Sequence, residues 1–221
     1  MPAEGNNMAF THAIIFTGGD PPHPNVVKHL DRDALVIAAD SGYTHAQSLG
    51  MQPHLLVGDM DSISPADIAD AQARSVEIHA YNTAKDETDT EIAVSGSIER
   101  GITDITVVSG GGDRFDHLLG MVHSLATSHC TLYLGKAHVQ FAQQDLPRTL
   151  SVSIGDVVSL IPLGGSARIS TTGLQWNLCD EDLHAFASRG VSNIATHPSV
   201  DVVVTRGSVA IIQPNFLEGT Q

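Results

Sequence analysis

Short apolar runs alternate with amphipathic stretches along the first part of the chain, and the texture changes near residue 135. The runs fall at 13–16, 34–39, 55–57, 76–80, 105–108 and 131–134. Brief continuous apolar segments bounded by polar turns are what strands covered on both faces show. Helical patterns lie between them. Ser64 is placed to cap a helix predicted over 65–74, residues 87–100 carry Ile92, Ala93 and Ile98 at near-helical spacing, and 115–127 put Leu118, Leu119, Val122 and Leu125 on one face. Strands alternating with helices imply βαβ units and a doubly wound, mainly parallel sheet.

After Gly135 the runs become β-type and are separated by Gly, Pro, Ser and Asp: 138–142, 150–154, 157–161, 167–171, 202–205 and 208–212. That pattern predicts an antiparallel β-sandwich. The expected organisation is a flexible N-terminus over 1–10, an α/β domain over 11–136 and a β-sandwich domain over 137–221.

Composition narrows the chemistry. At 221 residues the chain is long enough to bury a core without disulfide or zinc staples. Its net charge of −14 opposes the phosphate backbone of nucleic acids, and no clustered Lys/Arg offsets it. A phosphorylated small molecule would need a cation between itself and the carboxylates. Cys130 and Cys179 lack a CxxC spacing and are expected as buried thiols of a reducing compartment. Residues 1–7 hold no Lys or Arg and no apolar run, and no window approaches the roughly 20 apolar residues of a membrane span, so the expected location is cytoplasmic.

The acids are not scattered evenly. Predicted strands run into Ala39-Asp40-Ser41-Gly42, into Gly58-Asp59-Met60-Asp61-Ser62, and into Gly110-Gly111-Gly112-Asp113-Arg114-Phe115-Asp116-His117, while the first strand ends in Gly18-Gly19-Asp20. In open α/β sheets ligands bind beyond the carboxyl ends of the strands, so these loops should converge. Lys85-Asp86-Glu87-Thr88-Asp89 opens the third helix, with Asp86 and Asp89 expected on one helix face near its N-terminus. Two carboxylates 4 Å apart repel by about 4 kcal/mol at an effective dielectric of 20. Such a cluster either protonates or recruits a cation, and hard oxygen ligands without a His/Cys cluster suit Mg²⁺.

Taken singly, each feature has an ordinary explanation. An Asp-x-Asp is common turn chemistry, Asp40 could cap a helix at Tyr43, Asp86 and Asp89 could be helix N-terminal charges, and His117 could be a packing histidine. Lys85 and Arg114 could contact phosphate oxygens or pair with Asp86 and Asp116. The inference rests on four acid-bearing loops meeting at one end of one sheet.

In this order the motifs resemble the thiamine pyrophosphokinase family. The likeness runs through Asp40-Ser41-Gly42, Asp59-Met60-Asp61-Ser62-Ile63, Lys85 to Asp89, Gly110 to His117, Thr171-Thr172-Gly173-Leu174-Gln175-Trp176-Asn177-Leu178 and Ser192-Asn193. The resemblance implies an N-terminal α/β domain, a C-terminal β-sandwich and a homodimer with active sites between subunits. It implies Mg²⁺ at Asp40, Asp59, Asp61 and Asp89, with Asp59, Asp61 and Asp89 catalytic. ATP as co-substrate is expected at Lys85, Asp86, Arg114, Asp116 and His117, and thiamine at Thr172, Trp176, Ser192 and Asn193. Trp176, the single Trp, is expected to reach the partner subunit's site; packing in the β-domain core is the other reading. Residues 175–191 and the histidines His12, His23 and His54 are not explained by the family pattern.

Three other functions fit parts of the sequence. A strand followed by Asp59-x-Asp61 resembles the nucleophile loop of haloacid-dehalogenase-like phosphatases, but it follows two earlier strand units instead of opening the chain. A diphosphokinase for another alcohol, such as a pterin, would use the same scaffold. A non-catalytic thiamine binder would not need Lys85 and Arg114.

Overall fold

The computed structural model describes residues 10–82, 86–112 and 114–219. The expected N-terminal tail, apart from Phe10, lies outside the described residues, as do Lys85 and Asp113.

Six parallel strands form the first half: β1 (His12–Phe16), β2 (Leu35–Ala39), β3 (Leu55–Gly58), β4 (Glu77–Ala80), β5 (Asp104–Ser109) and β6 (Cys130–Leu134). Their spatial order is β6-β5-β1-β2-β3-β4, so successive crossovers run one way from β1 and the other way from β5. The C-terminal ends of β1 and β5 therefore border a topological switch point. Both faces are covered. Ala93, Val94, Met121 and Leu125 of α3 (Asp89–Glu99) and α4 (Phe115–Leu125) pack on Ile15, Ile37, Val57 and Val107. On the opposite face the 3-10 helix Pro24–His29 and α1 (Gly42–Ser48) lay Val26 and Ala46 on Ile14, Phe16 and Val36. There α2 (Pro65–Ala73) also adds Ala71, which joins Tyr43 against Ala38 and Leu56. Burial on two faces is why β1, β2 and β3 read as apolar runs, whereas the edge strand β4 is only partly covered and carries Glu77 and His79.

The sheet continues into the second half through a reversal at Gly135 and Lys136, where β7 (Ala137–Gln143) pairs antiparallel with β6. The runs at 157–161 and 167–171 belong to one strand, β9 (Val157–Thr172), and those at 202–205 and 208–212 to another, β12 (Ser199–Gln213). This corrects the expectation of separate strands. The positive-φ glycines Gly164, Gly165 and Gly207 bend the pair and shift its register without ending either strand. The first part of β12 pairs with β8 (Arg148–Ser151) and the last part with β7. Val200, Val202 and Val204 consequently share one core with Val209, Ile211, Leu160 and Ile169, which gives the antiparallel half its layered form. Short strands β10 (Glu181–Leu183) and β11 (Asn193–Ile194) add to β9. Among the described residues no helix is long and apolar enough to cross a membrane.

α1 has no clear apolar period in the sequence. What seats it is contact with the end of β1: a Cβ on Gly42 would lie 2.1 Å from the Phe16 carbonyl oxygen. Gly42→Ala is expected to lower stability by about 3 kcal/mol, the upper range for overpacking against a backbone that cannot yield. The shift of the urea unfolding midpoint measures it, and a midpoint equal to wild type would show that α1 is free to move.

The histidines have structural work. His12 hydrogen-bonds Thr106 through Nε2, His23 accepts the Asn25 amide as a helix cap, and His54 Nδ1 accepts the Val36 amide, supplying a partner to β2. His138 is buried between Tyr133 and Phe216, with ring centroids 5.1 and 4.6 Å away, and its Nδ1 bonds the Gln213 side-chain oxygen at 2.9 Å. Burial holds its pKa below the usual 6.5. The unfolded chain then binds more protons than the folded one just below pH 6.5, so His138 costs nothing above that pH and destabilises as pH falls toward its folded value. The slope approaches 1.4 kcal/mol per pH unit, roughly, for one such group. Between pH 7.5 and 5.5 this opposes Asp40, whose raised carboxyl takes up a proton in the folded chain. The urea midpoint is therefore expected to fall further, or rise less, in wild type than in His138→Gln, and equal changes would remove His138 as a cause. Of the two cysteines, Cys130 is buried and its thiol is pushed up to about 12 by desolvation, but Cys179 is exposed, which corrects the expectation for that residue. It lies in a bend between buried Leu178 and exposed Asp180.

Candidate active site

The ends of β1, β2, β3 and β5 and the start of α3 enclose a cavity of about 520 Å³. Asp40, Asp59, Asp61, Asp89, Arg114 and His117 line it, as do Gly18, Gly19, Gly111 and Gly112 from the two glycine loops. The sheet edge gathers them because each parallel strand delivers its following loop to the same end.

Asp40 follows β2 in the left-handed region, with φ of 46°. Ser41, not Asp40, occupies the N-cap position of α1, so the capping alternative is corrected. The Asp40 carboxylate points toward β3, where Oδ1 accepts the Met60 amide at 3.3 Å. Gly58 is needed for this approach, because a Cβ there would lie 1.8 Å from Asp40 Oδ1. Met60 is also left-handed, with φ of 65°, and its unfavourable backbone turns Asp59 and Asp61 back around Asp40. Asp59 Oδ1 accepts the Asp61 amide at 3.1 Å. One oxygen from each of Asp40, Asp59 and Asp61 falls within 4.8 Å of the others.

Asp89 closes the group from α3. Thr88 caps that helix in a capping box with Glu91, which sets Asp89 as its first residue. The Asp89 carboxylate hydrogen-bonds Asp40. Asp86 lies before the cap, exposed and outside the cavity lining, so the expectation that Asp86 and Asp89 share a helix face is corrected: the cap begins the helix too late to include Asp86. Burial, followed by the bond and charge of Asp89, pushes the Asp40 carboxyl up to about 7. The bond to Asp59 and that group's charge raise Asp61 as well. Two carboxyls held above their ordinary range beside two further acids mark a site short of positive charge, and its hard oxygen donors suit a divalent cation of the Mg²⁺ type.

Arg114 stands at the cavity rim and donates from Nε and Nη2 to both oxygens of Asp116, at 3.0 and 2.7 Å. That fork holds the Asp116 carboxyl well below the usual carboxylate range. Asp116 itself is exposed and does not line the cavity. His117 is exposed too, which removes the packing alternative for it.

The C-terminal candidates form a separate group, and none of them lines this cavity. Trp176 is 59% exposed, which excludes a core role within the chain. Buried Asn193 accepts the Trp176 amide through Oδ1 and donates from Nδ2 to the Trp176 carbonyl, fixing the backbone from which the indole projects. Ser192 is exposed, and its amide donates to Ser159 Oγ. Thr172 donates its hydroxyl to Asp201. Sequence reasoning gave no site role to Thr17, Ser62, Thr88, Thr90, Ser109, Leu118 or Met121, which also line the cavity. The signal for Thr17, Ser62 and Ser109 was position, since each is a hydroxyl residue at or just beyond the end of a parallel strand.

A family model described as the catalytic domain of thiamin pyrophosphokinase matches residues 26–134, and one for that enzyme's vitamin B1 binding domain matches 144–209. The chain belongs to the thiamin pyrophosphokinase family. Both groups of candidate residues fall inside these matches. Thiamine pyrophosphokinase 1 of Oryza sativa subsp. japonica is 30% identical over 176 residues, covering 68% of this chain and 62% of that protein. The Bacillus subtilis thiamine pyrophosphokinase is 28% identical over 114 residues, covering 51% of this chain and 53% of that protein. The chain thus matches from about half to under two thirds of the length of these curated relatives. A crystal structure of the Bacillus subtilis enzyme shares the fold, with a TM-score of 0.77 at 21% identity over 91% of this chain and 98% of that one.

Proposed function

We propose that this chain is a thiamine diphosphokinase, which transfers the β,γ-diphosphate of Mg-ATP to the hydroxyethyl oxygen of thiamine and releases thiamine diphosphate and AMP. The observation that carries the reading is the convergence of Asp40, Asp59 and Asp61 within 4.8 Å beside the glycine loops of the switch point, in a chain of this family. Asp40, Asp59, Asp61 and Asp89 would hold Mg²⁺, which supplies neutralising charge for the polyphosphate. The chain's own part is positioning. Arg114 exchanges its Asp116 partner for a phosphate oxygen, and Lys85 serves as a second cation. The thiamine hydroxyl attacks the β-phosphorus in line as the bond to the AMP oxygen breaks. Its proton passes to a carboxylate of the group formed by Asp59, Asp61 and Asp89.

Thiamine is a cationic pair of rings, suited to an acidic protein and to stacking on Trp176. In this reading Thr172, Trp176 and Ser192 contact thiamine, and Asn193 acts by holding Trp176. The gap between these residues and the acidic cavity is closed by a homodimer in which each Trp176 serves the partner's cavity. The test is incubation with ATP, Mg²⁺ and thiamine, followed by measurement of AMP and thiamine diphosphate. Formation of both in equal amounts is expected; absence of both overturns the reading, and diphosphoryl transfer to a pterin alcohol but not to thiamine would reassign the acceptor.

A further inference from the structure

We propose that His45 is a positioning residue for the polyphosphate, acting through one peptide plane of the first glycine loop. The inference rests on the reading of the cavity as the Mg-ATP site. His45 lies on α1, outside the cavity lining, and its Nε2 contacts the Gly19 carbonyl oxygen at 3.0 Å. On the other side of the same peptide unit, the Asp20 amide donates to the Gly111 carbonyl oxygen at 3.1 Å. A trans peptide points its C=O and N–H in opposite directions, so the unit joining Gly19 to Asp20 is held at both polar ends. One holder belongs to α1 and the other to the loop after β5. The plane consequently couples the two glycine loops that face each other across the switch point.

The arm that holds it is stiff. Gly42 of α1 sits against the end of β1, one turn before His45. Tyr43 is fully buried, and its hydroxyl donates to Asp70 of α2 at 2.8 Å. Gln47 donates to the Tyr43 hydroxyl at 2.9 Å and also to Asp70 Oδ2. His45 is thus presented from a helix anchored on both sides, and it donates to a carbonyl in either charge state, provided Nε2 carries hydrogen. Without it, the peptide plane keeps its bond to Gly111 alone. Gly18 and Gly19, which line the cavity, then lose a fixed orientation toward the ligand. The affinity for polyphosphate should suffer while the site for thiamine, on other elements, should not.

The test compares wild type, His45→Ala and His45→Gln by calorimetric titration with Mg-ATP without thiamine, together with KM values for each substrate and thermal melting. Gln can place an amide donor near the position of Nε2. His45→Ala is expected to weaken Mg-ATP binding about three- to tenfold, the scale of one lost hydrogen bond, with KM for ATP rising in step and KM for thiamine unchanged. His45→Gln is expected to recover most of the loss. Unchanged Mg-ATP affinity in His45→Ala overturns the proposal, as does an equal rise in both KM values or a loss that only tracks a lower melting temperature. If wild type itself fails to bind Mg-ATP, the reading of the cavity falls, and the role of His45 falls with it. Wild-type binding with no difference in His45→Ala refutes the positioning role alone.

Discussion

Asp59→Asn and Asp61→Asn are each expected to lower turnover by about a hundredfold or more while leaving the fold intact. Asn keeps the size of the side chain, and at residue 59 it keeps the oxygen that accepts the Asp61 amide. What it removes is negative charge from a cluster already pressed for protons, with Asp40 raised to about 7. The two effects have opposite signs. Metal-dependent charge neutralisation is weakened, and a loss of two orders of magnitude is typical when one group stabilising transferring charge is removed. Repulsion in the metal-free protein is relieved, so the melting temperature without Mg²⁺ should hold or rise. Rates measured across a Mg²⁺ titration, beside melting curves in chelator, check both parts. Near-wild-type turnover in either variant would overturn the assignment of these carboxylates. A fall in activity accompanied by a fall in melting temperature would instead mark them as structural.

Mixing Asp59→Asn with Trp176→Ala is expected, at low thiamine, to restore activity well above that of either variant alone. Trp176 is 59% exposed and stands outside the acidic cavity of its own chain. If it completes the partner's site, a mixed dimer contains one site carrying both substitutions and one carrying neither. Random exchange of subunits makes half the dimers mixed, so recovery should approach about a quarter of wild-type activity for a symmetric pair. Asp59→Asn alone should be nearly inactive. Trp176→Ala alone should show chiefly a raised KM for thiamine, so the assay is best run at thiamine well below that value. Mixed dimers verified by differently tagged subunits, yet giving no recovery, would show that each chain builds its site alone.

How much of the site was legible before folding can be judged from single residues. Asp59 and Asp61 were readable because strand, glycine and Asp-x-Asp are contiguous, and β3 delivers them to the sheet end. The helix behind Asp89 was readable, but its first residue was not: only the Thr88 to Glu91 capping box decided that Asp86 stays outside. Arg114 could be read as a phosphate ligand or as a partner of Asp116, and the structure shows the second arrangement in the protein alone. Trp176 could be core or site, and exposure separates the two. His45 gave no signal, because its partner is a backbone carbonyl on another element and leaves no mark on side-chain pattern.

The sequence by itself determined which segments would be strands buried on two faces and which would be amphipathic, since those depend on periods of a few residues. It also determined the supply of hard ligands and the scarcity of cations, on which the proposal of a cation-bridged polyphosphate rests. The tertiary structure alone decided which acids meet. Asp40 bonds Asp89 because strand order, not distance along the chain, sets neighbours at a sheet end. Long-range order likewise made single bent strands of β9 and β12 and placed Trp176 away from the cavity. Local periodicity carries no information about such pairings, because the free energy that selects them is collected only when the whole sheet is assembled.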